Sequence, residues 1–144
     1  MKSYINLAAL ALVACLGGAT AARAEATCDL TSLSGAYGYS LTGFTSNGFS
    51  TNLVSALGRF VADGSGGLSI KDTVSQGGSV IRTQKYSGRY TINSDCTGTL
   101  SLNGYFDFVL VNNNMELHLI SVDQGANITG TAKKQVIPFV PVLQ

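Results

Sequence analysis

Apolar residues recur at every second position along most of the chain after residue 30. No stretch there keeps the three-and-four-residue spacing of an amphipathic helix. Residues 86–92 and 99–103 show the alternation most clearly, because polar side chains separate the apolar ones. Gly, Asn and Asp, which form tight turns, interrupt the pattern about every ten residues. The pattern therefore predicts eight strands, at residues 34–44, 52–62, 67–75, 79–92, 97–103, 104–111, 115–122 and 127–134.

The short predicted loops favour antiparallel pairing between strands that follow each other in sequence. Eight strands joined in this way close naturally into an up-and-down barrel. The sequence thus predicts an all-β fold with one barrel domain over residues 25–144, and a two-sheet sandwich is the alternative. Glycines inside the strands, such as Gly58 and Gly88, predict bulges or bends at barrel corners.

Periodicity also predicts which side chains leave water, since one face of each strand must line the core. On the seventh strand, Glu116 and His118 alternate with leucines and are expected to face solvent. The residues expected inside are Phe60, Tyr86, Tyr90, Ile92, Leu100, Leu102, Phe106, Phe108 and Leu110.

The first 24 residues have the three parts of a secretory signal peptide. A basic start is followed by an apolar run over residues 7–16, and Ala22-Arg23-Ala24 forms a cleavage site. The run is too short for the ~20 residues of a membrane-spanning helix, and no later segment is longer. The prediction is export to the periplasm or the medium, without a transmembrane segment.

A lipoprotein is the alternative. Residues 12–15 read Leu-Val-Ala-Cys, which fits the site at which Cys15 would be lipidated and become the new N-terminus. The cleavage site after Ala24 favours the soluble product.

Composition and charge limit the kinds of molecule that the protein is expected to bind. Only 12% of the 144 residues are charged, about half of the usual share. Cleavage after Ala24 leaves seven basic and eight acidic residues, a net charge of −1. A nucleic-acid-binding domain normally carries a basic stripe. We therefore expect neither nucleic acid nor an anionic membrane as a partner.

The cysteines predict a disulfide. Cys28 and Cys96 are the two that remain after cleavage, and thiols in an oxidising compartment normally pair. A redox or metal-binding pair is the alternative, and neither cysteine has an adjacent cysteine or histidine to support it.

Three segments carry a resemblance to a known family: residues 33–37 (LSGAY), 58–66 (GRFVADGSG) and 88–99 (GRYTINSDCTGT). They resemble small exported bacterial proteins with an allene-oxide-cyclase-like barrel, which is related to the lipocalins and other calycins. Ile92 stands where the family pattern has Val, and Ser65 lies between the turn glycines. The resemblance implies an eight-stranded barrel of unassigned activity. It carries over no catalytic residue, because the matched positions are turn and core positions.

Candidate chemistry is sparse. The single histidine, His118, shares a strand face with Glu116, so the two could form an acid–base unit, together with Asp107 or Tyr105. Ordinary solvent-facing polar residues are the alternative. Scattered carboxylates with one histidine do not make a metal site. The sequence therefore predicts no catalytic residue, metal or cofactor.

Aromatic residues on several strands suggest a ligand cavity in the barrel. If the interior is hollow, Tyr86, Tyr90, Phe106 and Phe108 would line a small apolar pocket; core filling is the alternative. The predicted function is a binding or structural barrel with a small hydrophobic molecule as its partner. A cyclase- or isomerase-like enzyme acting on such a molecule is the alternative.

Overall fold

A computed structural model describes residues 27–136 of the chain. The predicted signal peptide 1–24, the alternative lipidation site Cys15 and the end of the predicted domain, residues 137–144, lie outside the described residues. Within residues 27–136, no helix has the length and apolar character needed to cross a membrane.

The eight predicted strands are confirmed, and their ends differ from the predicted ones by at most two residues. A short 3-10 helix, Leu30–Ser32, precedes them. The strands are β1 (Ser34–Ser46), β2 (Thr51–Asp63), β3 (Gly67–Gln76), β4 (Ser79–Ile92), β5 (Thr97–Ser101), β6 (Tyr105–Val111), β7 (Glu116–Ser121) and β8 (Ala126–Lys134).

Each strand pairs antiparallel with the next, and β8 pairs with β1, so the sheet closes into a barrel. The predicted barrel is therefore confirmed and the sandwich is excluded. Closure is least extensive between β4 and β5, where residues 90–92 of β4 pair with residues 98–100 of β5. The first half of β4 has β3 alone as its neighbour in the sheet.

The predicted inward face is confirmed. All nine residues of that set belong to the core or pack against it, with Tyr86 and Ile92 partly buried. On β7, Leu117 and Leu119 are buried, whereas the His118 side chain is exposed.

One end of the barrel is closed by the segment before β1. Asp29 caps the 3-10 helix by accepting hydrogen bonds from the backbone N–H groups of Thr31 and Ser32. Leu33 is fully buried beneath it. The Tyr90 hydroxyl lies 2.9 Å from the carbonyl oxygens of Leu30 and Leu33 and donates to this pair. We refer to this segment before β1 as the plug. Leu33 packs it against the core, and the Tyr90 hydroxyl holds it by hydrogen bonds.

The predicted disulfide is confirmed and fixes this plug. Cys28 is bonded to Cys96 in the β4–β5 loop, and the Cys28 N–H donates to the carbonyl of Ser94. The loops β1–β2, β3–β4, β5–β6 and β7–β8 lie at the opposite end, which no such segment covers among the described residues.

Candidate functional site

The barrel interior contains a cavity of about 230 Å³ at the end opposite the plug. Its wall is largely apolar, whereas Thr45, Gln76, Asn103 and Asp123 stand among the residues at its mouth. The apolar wall consists of Leu41, Val54, Ala56, Val74, Leu102, Phe106, Ala126 and Ile128.

Besides Asp123 at the mouth, a second carboxylate, Asp72, lines the same cavity. Its side chain lies on β3 on the same face as Leu68 and Ile70, and only 4% of the residue is exposed. Asp72 is the one charged residue that is buried in the part of the chain that the structure describes. Acidic side chains are almost never this deeply buried unless they are paired. The hydrogen-bond partners of Asp72 therefore show which residues belong to the site.

Two tyrosines satisfy one oxygen of this carboxylate. The hydroxyls of Tyr39 on β1 and Tyr86 on β4 donate to Asp72 Oδ2 at 2.7 and 2.6 Å. Burial, together with the hydrogen bond to Asp72, raises the pKa of both phenols well above the ordinary value. At neutral pH both phenols therefore keep their protons for the carboxylate.

Gly58 makes this arrangement sterically feasible. In the strand register, Tyr39 lies opposite Gly58 and Gly58 lies opposite Asp72. A Cβ atom at Gly58 would come within 2.5 Å of the Asp72 Cβ and 2.9 Å of the Tyr39 ring. The register of β2 is regular here, so no bulge lies at this glycine, and the missing side chain accommodates the ring.

The other carboxylate oxygen, Asp72 Oδ1, is buried and has no hydrogen-bond partner among the described residues. Gln84 lies opposite Asp72 on β4, and its Nε2 is also buried without a hydrogen-bond partner. An unpartnered buried acceptor costs roughly 1–3 kcal/mol, and most such groups in native proteins have a partner. Asp72 Oδ1 is thus an unsatisfied acceptor on a residue that lines the cavity.

A β-bulge borders this site. Asp72 pairs with Gln84, but the next inward residue of β3, Val74, pairs with Ile81, so β4 contains one extra residue. Thr83 in this segment has a φ of 57°, a left-handed conformation that is unusual for a β-branched residue. The extra residue lets Gln84 and Tyr86 face the interior while the strand continues to pair with β3 up to the rim.

The four predicted ligand-lining residues lie in three different places. Phe106 lines the cavity, and the hydroxyl of Tyr86 reaches Asp72 beside it. Tyr90 lies at the opposite end, hydrogen-bonded to the plug. Phe108 is buried against Gly98, where an added Cβ would come within 2.7 Å of its ring. Of the four residues, Phe106 therefore lines the cavity and Tyr86 contacts it through Asp72, whereas Tyr90 and Phe108 pack in the core elsewhere.

The residues considered for acid–base chemistry lie outside the barrel. The imidazole of His118 lies 3.8 Å from the carboxylate of Glu116, which also contacts Lys133. Asp107 and Tyr105 are exposed on β6. His118 and Asp107 line a shallow outer groove of about 560 Å³, where the His118 side chain is exposed and that of Glu116 is half-buried.

Asp72 was not predicted as a site residue, although its position in the sequence contains a signal for it. Leu68, Ile70, Asp72 and Val74 alternate in β3, so the acid occupies a position on the apolar face. A charged residue in register with an apolar face is the exception that marks a buried functional group.

Among residues 27–136, no group of three or more His, Cys, Asp or Glu side chains is placed to bind a metal ion. Comparisons of the chain with protein-family models, curated proteins and solved structures find no match. The site is therefore interpreted from its own geometry.

Proposed function

We propose that this protein is an exported barrel that binds a small, mainly apolar molecule in the cavity at its open end. Asp72 is the polar anchor for that molecule. The observation that carries the proposal is the buried Asp72 carboxylate, which has one unpartnered oxygen and lines a cavity with a largely apolar wall. Ligand sites typically combine apolar walls with a few polar groups that orient the ligand.

The anchor defines the polar group of the ligand. A carboxylate oxygen accepts hydrogen bonds, so the ligand presents a donor such as a hydroxyl to Asp72 Oδ1. The two tyrosine hydroxyls hold the carboxylate in place through Oδ2.

The cavity volume limits the size of the ligand. An apolar cavity of about 150 Å³ holds benzene, so about 230 Å³ accommodates one substituted ring or a short branched chain. The plug closes the far end, so the ligand enters between the β1–β2, β3–β4, β5–β6 and β7–β8 loops.

Features of the sequence and of the structure support export and membership of the barrel family. The signal peptide provides the route, and the Cys28–Cys96 disulfide suits an oxidising compartment. The barrel agrees with the fold expected of the allene-oxide-cyclase-like family that the three segments resemble. Cleavage after Ala24, rather than lipidation of Cys15, belongs to the same proposal.

The binding experiment uses two probes that differ in a single donor. We expect calorimetry to show that 4-propylphenol binds. The second probe, 4-propylanisole, lacks the hydroxyl proton and should bind roughly 10–100-fold more weakly, because a hydrogen bond to a charged group contributes about 1.5–3 kcal/mol. Ala56→Phe should block the cavity for both probes. Equal affinity for the two probes, or binding unaffected by Ala56→Phe, would contradict the proposal.

An isomerase or cyclase acting in the same cavity is the second candidate, and Asp72 is the observation that favours it. A carboxylate beside a bound apolar molecule can act as a general base. Catalysis would require Asp72→Asn to abolish turnover while the variant still binds the substrate. The binding function needs only Asp72 as an acceptor, and the other acid–base candidates lie outside the barrel.

A further inference from the structure

Three cations form a row on the outer surface of the barrel. The strand register places Arg59 on β2 opposite Lys71 on β3, and Lys71 opposite Lys85 on β4. All three side chains are exposed. Neighbouring strands lie about 4.8 Å apart, so the row spans roughly 10 Å. We refer to Arg59, Lys71 and Lys85 as the basic row.

No carboxylate of the described residues neutralises the basic row. The ion pairs in the described part of the chain join Glu116 to His118 and to Lys133, on the other side of the barrel. Arg59 Nε donates to the neutral amide of Gln135 at 2.8 Å. Like charges placed directly opposite each other destabilise a sheet. The arrangement is therefore unfavourable for folding, and an external anion would relieve it.

A groove of about 490 Å³ runs beside the basic row, and all three cations line it. Ser69 and Ser87 form part of its floor. Their side chains are small and carry hydroxyl donors. Arginine, lysine and hydroxyl donors together form the environment that binds phosphate oxygens.

Large apolar side chains project from the same outer surface toward the open end. Leu57 lies two residues before Arg59 on the same face of β2 and is 70% exposed. Leu53, four residues earlier on that face, is 76% exposed, and Phe49 in the β1–β2 loop is fully exposed. Val80 on β4, which pairs with Ser75 on β3, is also exposed. We refer to Phe49, Leu53 and Leu57 as the apolar ridge.

Basic residues next to protruding apolar side chains are typical of proteins that bind at the surface of anionic membranes. Leu57 and Arg59 are about 7 Å apart along the strand. This spacing is comparable with the 5–10 Å to which interfacial helices bury their apolar face. A soluble polyanion would use the basic row and leave the apolar ridge in water.

We propose that the outer face of β2–β4 binds the surface of an anionic phospholipid membrane. The groove of the basic row takes lipid phosphates, and the apolar ridge enters the interface. The open end of the barrel then faces the membrane. A net charge of −1 suggested otherwise because the average conceals the cluster on one side of the molecule. This inference does not depend on what the cavity binds.

The first experiment measures sedimentation with vesicles of phosphatidylglycerol and phosphatidylcholine, and with vesicles of phosphatidylcholine alone. We expect binding to the anionic vesicles, weakened by salt. Each lysine near an anionic surface contributes about fivefold in affinity, so Lys71→Gln/Lys85→Gln should weaken binding about 25-fold. The charge-matched control Lys133→Gln/Lys134→Gln on β8 should have much less effect. Equal losses in the two variants, or no binding to anionic vesicles, would overturn the proposal.

The second experiment tests the orientation and separates a membrane from a soluble polyanion. The chain contains no tryptophan, so Phe49→Trp introduces a single fluorophore into the apolar ridge. We expect its emission to shift to the blue with anionic vesicles and to remain unchanged with heparin. Ile120→Trp, at an exposed site on β7, is the matched control and should not shift. A shift at residue 120 alone, or no shift at residue 49 with anionic vesicles, would refute the membrane assignment. Binding to heparin but not to the vesicles would assign the basic row to a soluble polyanion.

Discussion

Tyr39 and Asp72 lie on strands that do not pair with each other, and the Tyr39 hydroxyl donates to Asp72 Oδ2 at 2.7 Å across the intervening strand. Gly58 is the residue between them in the register. The contact therefore depends on three strands at once, since β1 provides the donor, β2 the space and β3 the acceptor. Tyr86 from β4 completes the cluster.

A substitution at Gly58 can test whether the packing of Tyr39 against Asp72 needs a residue without a side chain. Gly58→Ala places a methyl group against Asp72 and the Tyr39 ring, and overpacking of this kind costs about 1–3 kcal/mol. We expect the free energy of unfolding to fall by that amount in urea titrations. Gly38→Ala is the matched control, because its nearest neighbour would be the flexible Gln135 side chain at 3.6 Å. A Gly58→Ala protein as stable as the Gly38→Ala protein would contradict this packing.

The two tyrosine hydroxyls should act together on stability. Tyr39→Phe and Tyr86→Phe each remove one hydrogen bond to a charged group, which costs about 1.5–3 kcal/mol. In the double variant the buried carboxylate of Asp72 keeps neither donor, so the two losses should not add. A double-mutant cycle in urea measures this coupling.

Tyr105→Phe is the control for that cycle, because the Tyr105 side chain is exposed and should be nearly neutral. Strict additivity of the Tyr39 and Tyr86 changes would show that the two hydroxyls do not share one acceptor.

The fold could be predicted because its determinants are local. The alternation of apolar residues fixed the inward face of each strand, and Gly, Asn and Asp marked the turns. Asn112, Asn113 and Asn114, for example, all have positive φ in the β6–β7 turn, as asparagine readily tolerates. Antiparallel neighbours joined by such turns leave few topologies besides a barrel.

The site could be predicted only in part, because it depends on neighbours that are distant in sequence. Tyr86 and Phe106 were predicted from the inward faces of their strands; Phe106 lines the cavity, and the Tyr86 hydroxyl reaches Asp72. Asp72 entered the sequence analysis only as part of the net charge, although its position on the apolar face of β3 could have revealed it. The bulge at Thr83 has no such signal, since threonine is unusual in that conformation.

The basic row was hidden for the same reason. Arg59, Lys71 and Lys85 are 12 and 14 residues apart in sequence and form no charge run. Only the register of three strands brings them together. Net charge alone therefore does not predict where charges cluster on the surface, because that depends on the pairing of the strands.

The Cys28–Cys96 disulfide should contribute substantially to stability, because it joins residues separated by 68 positions. On the chain-entropy model a crosslink over such a loop contributes on the order of 4 kcal/mol. We expect Cys28→Ser/Cys96→Ser to lower the free energy of unfolding by about 2–4 kcal/mol. Dithiothreitol should destabilise the unaltered protein by the same amount and leave the variant unchanged. A variant as stable as the unaltered protein would show that the plug holds without the crosslink.

Stability should also fall at alkaline pH, because several tyrosines are buried in their neutral form. Desolvation, with a smaller contribution from the nearby Tyr90, raises the pKa of Tyr37 to about 12. The pKa values of Tyr39, Tyr86 and Tyr90 are raised as well, chiefly by burial. In the unfolded chain a tyrosine titrates near pH 10. The raised pKa values therefore favour the folded state fully below about pH 10, and this stabilisation is lost as the pH rises from 10 toward 12.

Phenolate absorbance near 295 nm, followed with urea denaturation at each pH, measures both parts of this expectation. In the folded protein these tyrosines should ionise late, with absorbance rising steeply only as the barrel unfolds. Tyr37→Phe removes one of the titrating groups, so the stability of the variant should decline less steeply above pH 10 than that of the unaltered protein. Because the Tyr37 hydroxyl also donates to the carbonyl of Asn114, the comparison uses the slope with pH and not the absolute stability. Identical slopes for the two proteins would mean that Tyr37 ionises as readily in the barrel as in the unfolded chain.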